Sequence, residues 1–405
     1  MKPKNIILRR RLAYVESQLT TEPLPSRHSP RLQEERQRRL TQEKITIQRS
    51  LNSIIYPILT LPVEITTEIF LHCLPDYAVS PSGTVAPMLL GRICRQWSNI
   101  ACSTPRLWAH FVAHFWQGPR FEPLLREWLR RARTAPLSLA LLLPFNRSAH
   151  STSLATLTLP FTDHWAQITS FRGSSLTPVE CLDLLARAPN LTHCELNKNA
   201  TNSYLLPSPS PSTSRLLHAR LQHLELANSL LLVLDLLTAP ALHSLKITGR
   251  LQPVAATVLP SFLERALKLR TFDASSFDVA GTGILCDVLR AIPLLNSLRL
   301  ALHSTASFEL LHLLNESPAF LPRIQNITLS SFYGLHWTDS SIQTFADAVT
   351  SRWEARSTAT QLLEFKILMD PVYDRILDDR ISACVSRLEE QGMRIYVGSE
   401  RHRIK

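Results

Sequence analysis

The sequence predicts an α-helical N-terminal arm and a three-helix module, followed by an α/β solenoid with parallel strands on its concave side and helices outside. Three observations carry that expectation. Leucine supplies 70 of the 405 residues and glycine only 10, enough apolar chain for a large core and too little glycine for a turn-dense all-β fold. A short pattern returns eight times between residues 165 and 367, and recurrence at a near-fixed period marks stacked repeat units. Ahead of it, apolar residues recur at steps of three and four, the helical period. The chain divides accordingly into a basic helical arm (1–58), a helical module (59–116), a linker and N-terminal cap (117–160) and a repeat domain (161–400).

The arm carries most of the charge. Residues 1–50 hold 12 Lys/Arg against 5 Asp/Glu, so +7 of the total +11 lies there. Leu8, Leu12, Val15 and Leu19 mark one helix. Leu40, Lys44, Ile47, Leu51, Ile54 and Ile58 mark a second, with a proline-rich break at Glu22–Ser26 between them. Two readings stay open: solvated amphipathic helices leading into the next module, or a dimerising or nucleic-acid-binding coiled-coil arm.

The module at 61–116 opens with Leu61-Pro62-Val63-Glu64-Ile65-Thr66-Thr67-Glu68-Ile69-Phe70. Thr60 is its expected N-cap and Pro75 its stop. A Pro/Ser/Gly loop follows, then Ile93-Cys94-Arg95-Gln96-Trp97-Ser98, and then Thr104-Pro105-Arg106-Leu107-Trp108, expected to begin a third helix. From periodicity alone this is a small helical domain whose leucines and tryptophans form a core. The three anchors together resemble the F-box, in the wording of the F-box proteins of mushroom-forming fungi. That resemblance implies docking on the Skp-type adaptor of the SCF (Skp–cullin–F-box) ubiquitin ligase. It makes Leu61, Pro62, Glu64, Ile65, Ile69, Leu89, Ile93, Cys94 and Trp97 the adaptor-contact candidates, with Trp108 packing the module itself. The departure from the family pattern is an insertion of about a dozen residues between the first two helices.

The repeated pattern is apolar at positions 1, 4 and 6 and polar between. It starts at Trp165, Leu191, Leu221, Leu242, Leu269, Leu295, Ile324 and Leu362, with a degenerate ninth copy at Ile395-Tyr396-Val397. Positions 4 and 6 then face inward while 3 and 5 face out. In the first copy this reading puts Gln167 at position 3, Thr169 at position 5 and Ser170 at position 6. Helical stretches separate the copies: Pro178–Ala188, Leu230–Thr238, Pro260–Lys268, Ile284–Ile292, Ser307–Asn315, Ser340–Arg356 and Arg375–Gln391. Leu137–Leu141 is strand-like and belongs to the cap. The steps and alternation resemble the irregular leucine-rich repeats that stand behind many F-boxes, although the repeat asparagine is largely absent.

A broad polar strand wall suits protein binding. Its target-contact candidates are His193, Glu195, His223, Glu225, Lys246, Asp273, Arg299, Thr328 and Lys366, against the alternative of an ordinary solvated sheet face. The mixed signs do not resemble a phosphate-binding stripe, so nucleic acid is not the expected partner. No catalytic constellation, metal-ligand spacing or cofactor loop appears, and the chain is not expected to be an enzyme. Seven cysteines without a CxxC pair, no apolar span of bilayer length and no signal-like start imply a reducing compartment, cytoplasmic and/or nuclear. The expected role is a substrate-recognition adaptor of an SCF-type ligase for an unidentified protein target. A non-catalytic scaffold outside the ligase, or a basic-arm nucleic-acid binder, are the alternatives.

Overall fold

The computed structural model describes residues 3–20, 30–52, 57–75, 81–114, 121–142, 164–197, 215–249, 255–276, 282–301, 304–317, 319–331, 338–354, 361–369 and 379–398. They fall into two compact units: Met1–Cys73 with Leu90–Ala101, and Leu74–Leu89 with Cys102–Lys405.

In the first unit, α1 (Pro3–Thr20) and α2 (Pro30–Asn52) pack on one another as an antiparallel hairpin. The direction follows from the pairs Arg11 Nε–Glu43 Oε1 at 2.7 Å, Lys44 Nζ–Glu16 Oε1 at 2.9 Å and Arg36 Nη2–Gln18 Oε1 at 3.1 Å. Such exposed pairs contribute little energy; burial of Val15 and Ile47 does more. The apolar stripe of each helix is therefore turned toward its neighbour in the same chain. The proline break between the two helices lies outside the described residues.

The next helix, α3 (Val63–His72), starts directly after Pro62, without a side-chain cap. Thr60 is not its N-cap; it ends a separate 3-10 turn, Pro57–Thr60. Thr66 and Phe70, one turn apart, form the buried side of α3. A 3-10 turn at Leu90–Arg92 leads to α4 (Arg95–Ser103). The Phe70 ring meets Trp97 edge-on, with centroids 4.9 Å apart, and Gln96 Nε2 donates to the Leu59 carbonyl at 3.1 Å.

The second unit corrects the expected third helix. Pro105–Trp108 is only a 3-10 turn, and the chain passes at once into strand β1 (His110–His114). Trp108 consequently packs in this unit: its ring lies 4.7 Å from Trp128 of α5 (Phe121–Ala132), under the Arg131 guanidinium at 4.4 Å. Trp128 Nε1 donates to the Trp108 carbonyl at 2.9 Å. The tryptophan pair is thus the first layer of the repeat core.

From β1 the sheet continues through β2 (Leu137–Leu142), β3 (Ile168–Ser174), β4 (His193–Asn197), β6 (His223–Ala227) and β8 (Ser244–Thr248). It ends with β9 (Thr271–Ser276), β10 (Ser297–Ala301), β11 (Asn326–Ser331), β12 (Glu364–Met369) and β13 (Arg394–Gly398). The short β5 (Leu216–Leu217) and β7 (Leu237–Thr238) form a separate parallel pair. Among the described residues the main sheet has eleven strands, parallel throughout and side by side in chain order. This is the topology of an α/β solenoid, each unit resting only on its neighbours.

Helices connect the strands: α6 (Pro178–Arg187), α7 (Ala255–Leu263), α8 (Thr282–Arg290), α9 (Ser304–Glu316), α10 (Asp339–Trp353) and α11 (Asp379–Glu390). The apolar run Asn228–Asp235 is a 3-10 helix. The sequence places α7 too late, because Pro260 reads as a helix start yet sits inside it.

Register partners Phe171, Cys194, Leu224, Leu245, Phe272, Leu298, Ile327 and Phe365 form one continuous buried row. Phe345 of α10 packs edge-on against Phe365 at 5.4 Å, so the helices cover this face. The first repeat is displaced from its expected register. Trp165 lies in a 3-10 turn, and Ser170, Phe171, Arg172 and Gly173, not Gln167 to Ser170, align with His193 to Leu196. Gly173 takes an inward position because a Cβ there would lie 2.6 Å from Leu176 Cδ1 and 2.7 Å from Phe171 Cε1.

Two arginines bridge neighbouring units. Arg352 of α10 is buried and donates to the carbonyls of Leu314, Ser317 and Phe320 at 2.8–2.9 Å. Arg265 donates to Leu234 O at 3.0 Å and Leu237 O at 3.4 Å. Each side chain ties a unit to carbonyls at the end of the preceding unit's helix and in the residues that follow it.

Candidate functional site

The alternation of each strand turns two rows of polar side chains away from the helices. One row runs Ser170, His193, His223, Ser244, Thr271, Ser297, Asn326, Glu364; the next runs Arg172, Glu195, Glu225, Lys246, Asp273, Arg299, Thr328, Lys366. All nine wall residues singled out from sequence stand in these two rows. Arg172 was missed because the first repeat is displaced in register.

Neighbouring strands neutralise one another along the wall. Arg172 Nε meets Glu195 Oε2 at 2.6 Å, Lys246 Nζ meets Glu225 Oε1 at 3.2 Å, and Arg299 Nη1 lies 4.0 Å from Asp273 Oδ2. Lys366 pairs with Glu364 two residues away on its own strand. Opposite charges directly across a ladder stabilise the sheet modestly, so these side chains bear on wall structure as well as on recognition. Between the pairs, the rings of His193 and His223 stack at 4.3 Å, 16° from coplanar. Desolvation, then His193, then His243, hold His223 below the ordinary histidine range. Cys194 beneath them is buried, and desolvation pushes its thiol upward, which makes it an inert core residue.

At the N-terminal end of the wall the face is a groove of about 660 Å³. Residues of β1, β2, β3, β4, β6 and β8 line it, together with Leu74, Pro75, Pro81, Ser82, Pro87 and Met88. Every lining residue belongs to the second unit. The sequence marks this last stretch only as an insertion between helices, with no signal that its described residues line the groove.

Comparison with known proteins adds a limited likeness. No protein-family model matches the chain, and no curated protein matches it in sequence. Among solved structures it is similar to the leucine-rich repeat-containing protein LegL7 from Legionella pneumophila. The identity is 15%, the TM-score 0.38, and the match covers 69% of this chain and 80% of that one. The solenoid description rests on strand order and register.

A second surface lies in the first unit. Of the nine adaptor-contact candidates, Leu61, Pro62, Glu64, Ile65, Ile69, Ile93, Cys94 and Trp97 are in that unit, while Leu89 is in the second. Val63, Ile65, Ile69 and Ile93 are 53%, 50%, 37% and 54% exposed, although all four are large apolar residues. Trp97 is half-buried against Phe70, and its backbone N–H donates to Cys94 Sγ at 3.5 Å. The stripe Ile65, Ile69, Cys73 therefore faces out while Thr66 and Phe70 face in.

Among the described residues no group of three or more His, Cys, Asp or Glu side chains could hold a metal ion. No helix among them is long and apolar enough to cross a membrane.

Proposed function

We propose that the protein is a substrate-recognition adaptor of an SCF-type E3 ubiquitin ligase. An F-box within residues 59–116 docks on a Skp-type adaptor, and through it on a cullin-RING ligase. The strand wall binds a protein target in the cytoplasm and/or nucleus. The observation that carries this reading is the outward set Val63, Ile65, Ile69 and Ile93, held over the Phe70–Trp97 contact. Large apolar side chains placed outward in a helical module act as anchors for a partner's pockets. The resemblance of Leu-Pro-x-Glu-Ile and Ile-Cys-Arg-x-Trp to the F-box supports a Skp-type adaptor as the partner class. Such an adaptor needs no catalytic group, since holding the target near the charged enzyme raises its effective concentration.

The test is a binding titration of purified Skp-type adaptor against the full chain and its Ile65→Asp/Ile93→Asp variant. Deleting residues 61–116 is unsuitable, because β1 belongs to the repeat sheet. Expected is binding by the native chain and at least ~30-fold loss in the variant, ~2 kcal/mol at a buried anchor pair, with the circular dichroism unchanged. A folded native chain that does not bind the adaptor refutes the ligase role and leaves a protein-interaction scaffold.

A further inference from the structure

This inference rests on the wall being the target site. Ser138, Ser170, His193, His223 and Ser244 are register partners on five adjacent strands, and all five line the groove. At ~4.8 Å per strand the row is ~19 Å long, the span of about six residues of extended chain. Each of its side chains can donate a hydrogen bond. In the flanking row, Arg172 is paired with Glu195 and Lys246 with Glu225, so the opposite charges there cancel. His110, three strands away at the β1 edge, lines the same groove. Among the described residues, Leu74–Pro75 and Pro81–Met88, which contribute the rest of the lining, carry no titratable side chain. Among the described lining residues, the groups left to gain charge are therefore the histidines, and that charge is positive.

We propose that this groove binds an extended acidic segment of a protein partner, laid across the strands with a side-chain carboxylate at the His193–His223 pair. Two stacked imidazoles repel a shared positive charge, and an anion at their ring nitrogens offsets that repulsion. The titratable and charged groups around the pair are His243, Arg172, Lys246, Glu195 and Glu225, with His110 three strands away in the same groove. In the free protein His223 holds its proton less tightly than an ordinary histidine, from desolvation first and then from its imidazole neighbours. Carboxylate binding returns a proton to the pair, so the affinity rises as pH falls.

The test uses the full chain at ~150 mM salt, where surface attraction is screened beyond ~8 Å. The probes are a fluorescein-labelled Ser-Gly-Asp-Glu-Gly-Ser peptide, its Asn/Gln counterpart, and free succinate. The acidic peptide is expected to bind ~10-fold more tightly at pH 5.5 than at pH 7.5, the linkage of about one pK unit. The neutral peptide and succinate are expected to bind far more weakly. The His193→Gln/His223→Gln variant is expected to lose the pH dependence. In the native protein, the midpoint of the His223 ring resonance is expected to move upward on saturation with the peptide, a readout that survives a poorly folding variant. No acidic-peptide binding at pH 5.5, equal binding of the neutral peptide, succinate as tight as the peptide, a retained pH dependence in the double variant, or a static His223 midpoint overturns the proposal. Adaptor binding through Ile65 and Ile93 uses other residues, so either reading can fail while the other stands.

Discussion

Replacing Arg352 by methionine removes a guanidinium that joins two successive repeats. Its Nε donates to Leu314 O at 2.9 Å, and its Nη2 to Ser317 O and Phe320 O at 2.8 Å each. Hydrogen bonds to a charged group contribute about 1.5–3 kcal/mol each. Against them stands the desolvation of a buried cation, which also lowers the arginine's pKa. Methionine fills part of the volume, but three carbonyl groups lose their donor. The net loss comes to about 2–4 kcal/mol. In a solenoid that loss falls on one interface, so hydrogen exchange of the α9 and β11 amides is the proper assay. Opening should become ~30- to ~900-fold more favourable there, by the tenfold per 1.4 kcal/mol relation, while β3 and β4 stay protected. Arg352→Lys keeps the charge but not the fork and should show most of the same loss. Protection within ~3-fold of the native protein in Arg352→Met refutes the clamp; full rescue by lysine shows that charge alone matters.

Other consequences can be checked in the same protein. Gly173→Val should destabilise the first repeats by about 1–3 kcal/mol through overpacking against Phe171 and Leu176, measured by urea unfolding. Glu127 accepts from Arg130 and Arg131, whose hydrogen bonds hold its carboxyl at about 2 against the usual 4.5. Its folded pKa is depressed, so its contribution is complete above about 4.5 and disappears as pH falls toward about 2. Glu127→Gln should flatten that part of a melting-temperature profile, by under ~1 kcal/mol because the carboxyl is partly exposed. Lys246→Glu, which sets like charges at Glu225, should cost ~0.5–1 kcal/mol in urea unfolding and leave the sheet in register.

The repeats were legible because inward and outward residues alternate without exception through most copies. His193-Cys194-Glu195-Leu196 and His223-Leu224-Glu225-Leu226 each state which side is core. A local pattern misleads where it has two solutions. Trp165-x-x-Ile168 satisfies the repeat spacing, yet the matching inward pair is Phe171 and Gly173. A glycine can occupy a core position when neighbouring side chains fill its space, and no hydropathy pattern marks that. The same limit hid β1: Pro105-Arg106-Leu107-Trp108 has helix-start residues, and only pairing with β2 makes His110–His114 a strand. The roles of Arg265 and Arg352 were equally invisible, since an arginine in sequence does not reveal which carbonyls lie within its reach.

Periodicity by itself determined the alternation of strand and helix, the inward and outward faces of the strands, and the outward placement of the nine wall residues. These depend on neighbours along the chain, and side-chain direction repeats every two residues in a strand. Only the tertiary structure decided which charges pair, that two histidines stack, that Trp108 belongs to the repeat core, and that the stretch ending at Met88 borders a groove on the wall. Those features join residues tens of positions apart, where the distance across adjacent strands, and not the spacing in sequence, sets the interaction.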